Sequence, residues 1–333
     1  MNICHINSYS TTSTLYKNLY KELDNKNIEQ KIYIPVKNNK DKIKDIVDLE
    51  NGTFFYANTF NTIDRVLYFT KINKCYSALL DNIEIESIDL GHAHSLFVNG
   101  GIANELYKKE KVKFITAVRN TDLNLFFKYF FHLRKKGIEI LKNAAKIIFI
   151  SPAYKKRLLD DYIPENIKDK IEEKSIVIPN GIDDYWLDNI NLKSKELGDE
   201  IKLIYAGRID KNKNIKNICK VAIKLNKIGI NTNLKIIGKG PEKENIAKYI
   251  SDYNYIEMMD YMPKEELLEN YRRSDIFIMP SYNETFGLVY IEAMSQGLPI
   301  IYTKNEGVDG YFTEGKVGYS INPDDINDIV NKV

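Results

Sequence analysis

Short strand-like runs and amphipathic helical stretches alternate along most of the chain, and that alternation leaves few ways to fold. Residues 31–35, 112–118, 146–151, 202–206 and 233–237 are short and apolar, as buried strands are. Residues 15–23, 215–228 and 264–272 carry apolar side chains at helical spacing, and Pro263 stands where a first helical turn tolerates it. Strands alternating with helices predict an α/β chain whose parallel sheets are covered by helices. A chain of 333 residues exceeds one comfortable core, so two such domains are expected. A polar stretch, 189–200, precedes the strand-like run that opens at Ile201. We place the boundary near residue 180, giving domains 1–180 and 181–333. No internal repeat or low-complexity tract interrupts the pattern.

Hydrophobic residues at 44% and charged residues at 28% describe an ordinary soluble globular chain. A net charge of +2 argues against general nucleic-acid binding. Cys4, Cys75 and Cys219 are scattered, with neither metal spacing nor a disulfide framework, which suits a reducing cytoplasm. No basic segment and long apolar run follow Met1, so no signal peptide is expected. No run approaches the ~18 apolar residues that a membrane span requires.

The densest chemistry lies in residues 274–299. A buried strand is expected to end at Pro280-Ser281, a loop then carries Glu284, and a helix from Leu288 to Gln296 carries Glu292 before Gly297 and Pro299 stop it. Free amides at a helix N-terminus, behind a glycine that admits close approach, make a ready anion site. One carboxylate beside it suits the hydroxyls of a polyol and the other a ribose. By itself the segment describes a sugar-phosphate pocket.

Other residues have two readings each. Arg208 follows a strand and Lys213 stands five residues on, either as two solvated cations or as the charges a pyrophosphate leaving group needs when no metal neutralises it. No convincing Asp-x-Asp metal motif accompanies them. Gly238-Lys239-Gly240-Pro241 is a plain connection or a close backbone approach to a ligand. His92 and His94 fall on one face of a strand; they either pack at its end or begin a metal site, but no third ligand stands at sequence spacing.

Together these segments resemble the retaining glycosyltransferases of family 4, whose two Rossmann-like domains face each other across a cleft (the GT-B fold). The Glu284-x7-Glu292 signature carries the resemblance with Val177-Ile178-Pro179-Asn180-Gly181-Ile182-Asp183, Tyr205-Ala206-Gly207-Arg208 through Asn214, Ile236-Ile237-Gly238-Lys239-Gly240-Pro241 and Gly297-Leu298-Pro299-Ile300-Ile301, in that family's order. It covers roughly residues 145–320 and fits the N-terminal half only loosely. The resemblance implies that Gly207, Arg208 and Lys213 hold the donor diphosphate without metal. It implies that the Gly238 and Gly240 loop and the backbone of Tyr261 and Met262 meet the nucleotide. Glu292 would hold the ribose and Glu284 the transferred sugar, with Phe286, Gly287 and Leu288 bringing amides to sugar and phosphate. His94 would face the cleft from the acceptor half.

Two departures stand out. Ser8-Tyr9-Ser10-Thr11-Thr12 replaces a glycine pair common in the family's first loop. Arg119 stands where many members carry a histidine, and arginine cannot serve as a general base near neutral pH. Members also usually continue past Val333 with helical residues, so the early end reads as a truncation. From Leu123 to Leu159 nine Lys or Arg accompany a single acid, Glu139, with five aromatic residues at 126–131. That stretch suits a membrane interface with anionic lipid or a helix packing its aromatic face inward; the second reading is preferred.

The expected function is transfer of a sugar from a nucleotide diphosphate sugar, such as a UDP-sugar, to a hydroxyl of a glycan or lipid-linked acceptor. Configuration would be retained, no cofactor used, and the setting cytoplasmic, at the inner face of the membrane if the aromatic-basic stretch touches lipid. The alternatives are a non-catalytic nucleotide-sugar scaffold or regulatory subunit, and a sugar epimerase of the same fold.

Overall fold

The computed structural model describes residues 1–10, 14–37, 47–61, 67–192 and 198–333. It divides into two compact units, Met1–Ile150 with Tyr154–Ile178, and Ser151–Ala153 with Pro179–Val333.

The first unit holds an all-parallel sheet of strands β1 (Asn2–Ile6), β2 (Glu29–Lys37), β3 (Gly52–Phe60), β4 (Leu90–Ala93), β5 (Phe114–Val118), β6 (Lys146–Phe149) and β7 (Ser175–Val177), in the order β3-β2-β1-β4-β5-β6-β7. Around it run helices α1 (Thr14–Asp24), α2 (Tyr68–Leu80), α3 (Val98–Glu110), α4 (Arg134–Asn143), α5 (Pro152–Asp161) and α6 (Glu165–Glu173). Strand alternation sorts the side chains by face. Cys4, Ile6 and Tyr33 join one core with Ile72, Leu79, Phe97 and Ile102, while Ile32 and Ile34 join another with Tyr16 and Tyr20. Sheets buried on both faces tolerate few polar residues, so His5, fully buried in β1, is conspicuous.

The second unit repeats the plan with β8 (Ile201–Ala206), β9 (Thr232–Ile237), β10 (Ile256–Met259), β11 (Ile276–Met279), β12 (Ile300–Thr303) and β13 (Gly318–Ile321), again all parallel, in the order β10-β9-β8-β11-β12-β13. Its helices are α7 (Asp184–Asp188), α8 (Ile215–Lys227), α9 (Lys243–Tyr249), α10 (Lys264–Arg272), α11 (Leu288–Ser295) and α12 (Ile326–Lys332). Helix α8 buries Ile215, Ile218, Val221, Ala222 and Leu225 along one stripe. Each large apolar side chain so buried contributes ~1.5–3 kcal/mol before the entropy of ordering is counted.

Both sheets agree with the alternation read from the sequence. The stretch expected to form one aromatic-basic helix does not. It breaks into a π-helical segment, Asp122–Phe127, a 3-10 turn, Phe131–Leu133, and α4. Phe127 is fully buried, and Phe126 stacks on Phe97 at 4.5 Å between ring centres. Leu125, Tyr129 and Phe131 face outward at 41%, 58% and 65% exposure. Of the first loop, Thr11 and Thr12 lie outside the described residues.

Candidate functional site

Strand β8 ends at Ala206, and Gly207 then turns with φ +151°, in the region that favours glycine. The Tyr205 hydroxyl donates to the Arg208 carbonyl at 2.7 Å, which fixes the start of the loop. Asp210 caps a 3-10 turn, Lys211–Lys213, by accepting the Lys213 amide at 3.2 Å. Lys213 thus projects from a capped turn, and its Nζ lies 2.5 Å from Glu284 Oε2. Both side chains are mostly withdrawn from water, at 20% and 14% exposure. Arg208 is more open, 71% exposed, with Nε 3.2 Å from Asp210.

Glu284 sits in the loop after β11, which is held from two sides. Asn212 accepts the Asn283 amide at 3.0 Å and donates to the Asn283 carbonyl at 2.9 Å. The Glu306 carboxylate accepts the Glu284 amide at 2.8 Å, and the Gly307 amide donates to the Glu284 carbonyl at 2.6 Å. Gly287, at φ +78°, then turns the chain into α11; a Cβ there would stand 2.6 Å from the Tyr290 ring. The Tyr290 amide in the first turn of α11 donates to the Gly287 carbonyl at 3.0 Å, while the Leu288 and Val289 amides have no carbonyl a full turn earlier in the helix and lie at the positive end of its dipole.

These pieces line an open cavity of about 330 Å³, with Asn180, Ala206, Gly207, Arg208, Lys213, Met279, Glu284 and residues 285–289 in its wall. It lies at the C-terminal ends of β8 and β11, neighbours in the sheet although two strands separate them in sequence. Such a reversal of strand order is where open parallel sheets bind ligands. Chemically the cavity offers two cations, a carboxylate and a helix N-terminus, a set that suits an anion bonded to a hydroxyl-rich group.

Of the residues singled out from sequence, Gly207, Arg208, Lys213, Glu284, Phe286, Gly287 and Leu288 line this one cavity. Glu292 lies farther along α11, half-buried and not among the lining residues. Burial, with a smaller contribution from the Asp183 charge, raises its carboxyl to about 7. Gly238 and Gly240 pack against the chain's own backbone: a Cβ on Gly238 would fall 1.8 Å from the Gly207 carbonyl oxygen, and one on Gly240 2.2 Å from that of Ile209. Tyr261 is exposed under the Lys239 ammonium, while Met262 is buried and its sulfur accepts from Asn270 at 3.3 Å. Asn180, Met279, Thr285 and Val289 were not singled out and line the cavity, and Asn212 and Glu306 hold Glu284 without lining it. Asn180, Asn212, Thr285 and Val289 stood inside motifs already noted; nothing local in Glu306 signals a role.

His94 and Arg119 belong to the first unit. Arg119 Nε donates to the His94 carbonyl at 3.1 Å, and the buried Asp122 accepts the amides of Leu96, Phe97 and Arg119 at 2.8–3.0 Å. The expectation that no third ligand accompanies His92 and His94 holds along the chain and fails in space. His5, from the adjacent strand, completes a cluster of three.

The family model described as "Glycosyl transferases group 1" matches residues 188–333. Alpha-monoglucosyldiacylglycerol synthase of Acholeplasma laidlawii is 27% identical over 256 residues, covering 71% of this chain and 63% of that protein. Sulfoquinovosyl transferase SQD2 of Arabidopsis thaliana is 34% identical over 134 residues, 39% of this chain and 25% of that protein. The chain therefore spans less than two thirds of the length of either relative. Among solved structures, sucrose-phosphate synthase from Thermosynechococcus elongatus superposes with a TM-score of 0.75 at 16% identity, over 100% of this chain and 88% of that one. An apo lipopolysaccharide outer core galactosyltransferase, WaaB, gives 0.74 at 17%, over 100% and 89%. At such identities the likeness is one of fold, and the fold is GT-B.

Proposed function

Residues 188–333 belong to the group 1 glycosyl transferases, and from that premise we propose that the chain moves a sugar from a nucleotide diphosphate sugar to an acceptor hydroxyl with retained configuration and without a metal at the donor phosphates. The observation that carries this reading is the single cavity joining Arg208, Lys213, Glu284 and the first turn of α11. Lys213 and Arg208 would face the diphosphate, with the α11 amides adding donors to its oxygens. As the bond from the sugar to the diphosphate breaks, negative charge grows on the phosphate, where fixed cations stabilise it most. Glu284 would meet the sugar as that carbon becomes electron-poor. The departing phosphate can take the proton of the incoming hydroxyl, which leaves Arg119 free of any base role.

The test is incubation with a panel of nucleotide sugars and candidate acceptors in excess EDTA. Transfer to give a product of unchanged anomeric configuration is expected, with donor affinity undiminished. Binding that collapses in EDTA and returns with Mg²⁺ or Mn²⁺ would overturn the metal-free reading. Donor hydrolysis or epimerisation in place of transfer would overturn the whole assignment.

A lipid-linked acceptor and a peripheral membrane contact belong to the same proposal. The Acholeplasma relative is named for a glucosylated diacylglycerol. Leu125, Tyr129 and Phe131 are exposed beside Lys128 and Arg134, whose charges lie over the Tyr129 and Phe131 rings at 5.3 and 4.4 Å. Apolar rings flanked by cations suit an anionic bilayer surface. The protein is expected to co-sediment with anionic vesicles and to release at high salt. Equal partition onto neutral vesicles, or none onto either, would leave the stretch a purely structural one.

A further inference from the structure

We propose that His5, His92 and His94 form a binding site for a divalent transition-metal ion, Zn²⁺ in the first instance, within the first unit. Strands β1 and β4 are adjacent, and His5 pairs in register with His92. A strand repeats every two residues, so His94 falls on the same face as both. One nitrogen from each ring lies within 4.8 Å of the others. His5 Nδ1 and His94 Nε2 are 3.0 Å apart, close to the roughly 3.3 Å that two nitrogens keep when each is ~2.0–2.1 Å from a tetrahedral zinc ion. Tyr20 packs edge-on to His5 and Tyr16 edge-on to His94, each at 5.1 Å, which holds those two rings in place. His92 is half-buried, so it can adjust and gives the ion a way in.

The hydrogen-bond pattern is compatible with a bound ion. Only one hydrogen can lie between His5 Nδ1 and His94 Nε2, and the far nitrogen of His94, Nδ1, is buried without a hydrogen-bond partner. The Gln30 side-chain oxygen, buried and with no other partner, faces the His5 ring as a hydrogen-bond acceptor. An ion taken by His5 Nδ1 leaves Nε2–H to donate to that oxygen, the arrangement by which a second shell fixes a ligating imidazole. The chain has four histidines, and three of them are here.

The chemistry favours a nitrogen-loving ion. All three candidate ligands are imidazoles, which take such ions through a neutral ring nitrogen. A hard cation such as Mg²⁺ needs oxygen ligands, which the three histidines do not supply. Zn²⁺, Co²⁺, Ni²⁺ and Cu²⁺ are the divalent ions that imidazole suits.

The full chain, stripped with EDTA and freed of chelator, should take up one equivalent of Zn²⁺ by calorimetry, with a rise in thermal midpoint. Co²⁺ should report nitrogen ligation in its visible spectrum. His92→Gln, the ligand least needed for folding, should abolish both signals, and His132→Gln should leave both unchanged. No stoichiometric uptake by the unaltered chain would overturn the site, as would full binding in His92→Gln. Nucleoside diphosphate affinity, which reads the second unit, is measured separately, so failure of this site leaves the transfer reading untouched.

Discussion

Glu284→Gln is expected to lower turnover with the true donor by about 100-fold or more, while nucleoside diphosphate binds no more weakly than to the unaltered protein. Glu284 spends the ligand-free state paired with Lys213 at 2.5 Å, in a spot where neither side chain is well solvated. The diphosphate must compete with that carboxylate for the ammonium. Glutamine keeps the shape and removes the competing charge, so the nucleotide loses nothing at Lys213. What is lost is the negative group beside the sugar when it becomes electron-poor, an interaction that matters most in the transition state. Glu292→Gln should behave in the opposite way. Its carboxyl is proposed to hold a ribose that nucleotide and donor share, so both affinities should fall alike.

The Glu292 carboxyl also has a signature in stability. Its value is raised from the ordinary glutamate range to about 7, chiefly by burial. Between the two values the folded chain holds a proton that the unfolded chain has lost, so stability falls as pH rises through that window and stays lower above it. Glu292→Gln should therefore raise the thermal midpoint at pH 8 and leave it unchanged near pH 4. Calorimetry with nucleoside diphosphate, initial rates and melting curves read these outcomes. Full turnover in Glu284→Gln would remove the catalytic role, and equal nucleotide losses in both variants would merge the two roles into one.

Gly238→Ala should lower the thermal midpoint more than any other single change discussed. The residue sits at φ +151°, and an added Cβ would overlap the Gly207 carbonyl oxygen at 1.8 Å. Backbone strain of about 1–3 kcal/mol is joined by a clash that only moving one of the two loops can relieve. A loss of roughly 3 kcal/mol or more corresponds to a fall of about 6–12 °C for a unit of this size. Gly229→Ala provides the control: φ there is +88°, yet nothing lies within 4 Å of the new Cβ. It carries the conformational penalty without the collision. Equal midpoints for the two variants would show that the loops after β8 and β9 do not touch as described. Nucleotide affinity of any surviving Gly238→Ala protein should fall too, since Gly207 and Arg208 lie on the loop that must shift.

Much of the architecture was legible because local signals carried it. The strand-helix alternation announced both parallel sheets, and residues 284–288 ran together in sequence as they do along the cavity wall. Gly238 and Gly240 read from sequence as a plain connection or a close approach to a ligand, and neither reading named what they touch in the fold. The partner is the chain's own Gly207–Ile209 backbone, brought alongside by the pairing of β8 with β9. The pairing of Lys213 with Glu284 spans 71 residues and depends on β8 and β11 being neighbours. His5 was invisible as a partner of His94 for the same reason, since 89 residues separate them and only strand register unites them. The aromatic-basic stretch was misjudged as one helix because composition does not show where a helix breaks.

The Asn212 clasp on the loop around Asn283 has a consequence in time as well as in space. Its two ends are 71 residues apart, and the Glu306 contact to the Glu284 amide adds a further segment. Closing such distant ends costs chain entropy before any contact rewards it. The cavity wall is therefore among the last parts of its unit to assemble during refolding, after β8, β11 and β12 have paired. In a stopped-flow refolding experiment, the ability to capture a fluorescent nucleotide should lag behind the recovery of helical signal, and Asn212→Ala should lengthen that lag.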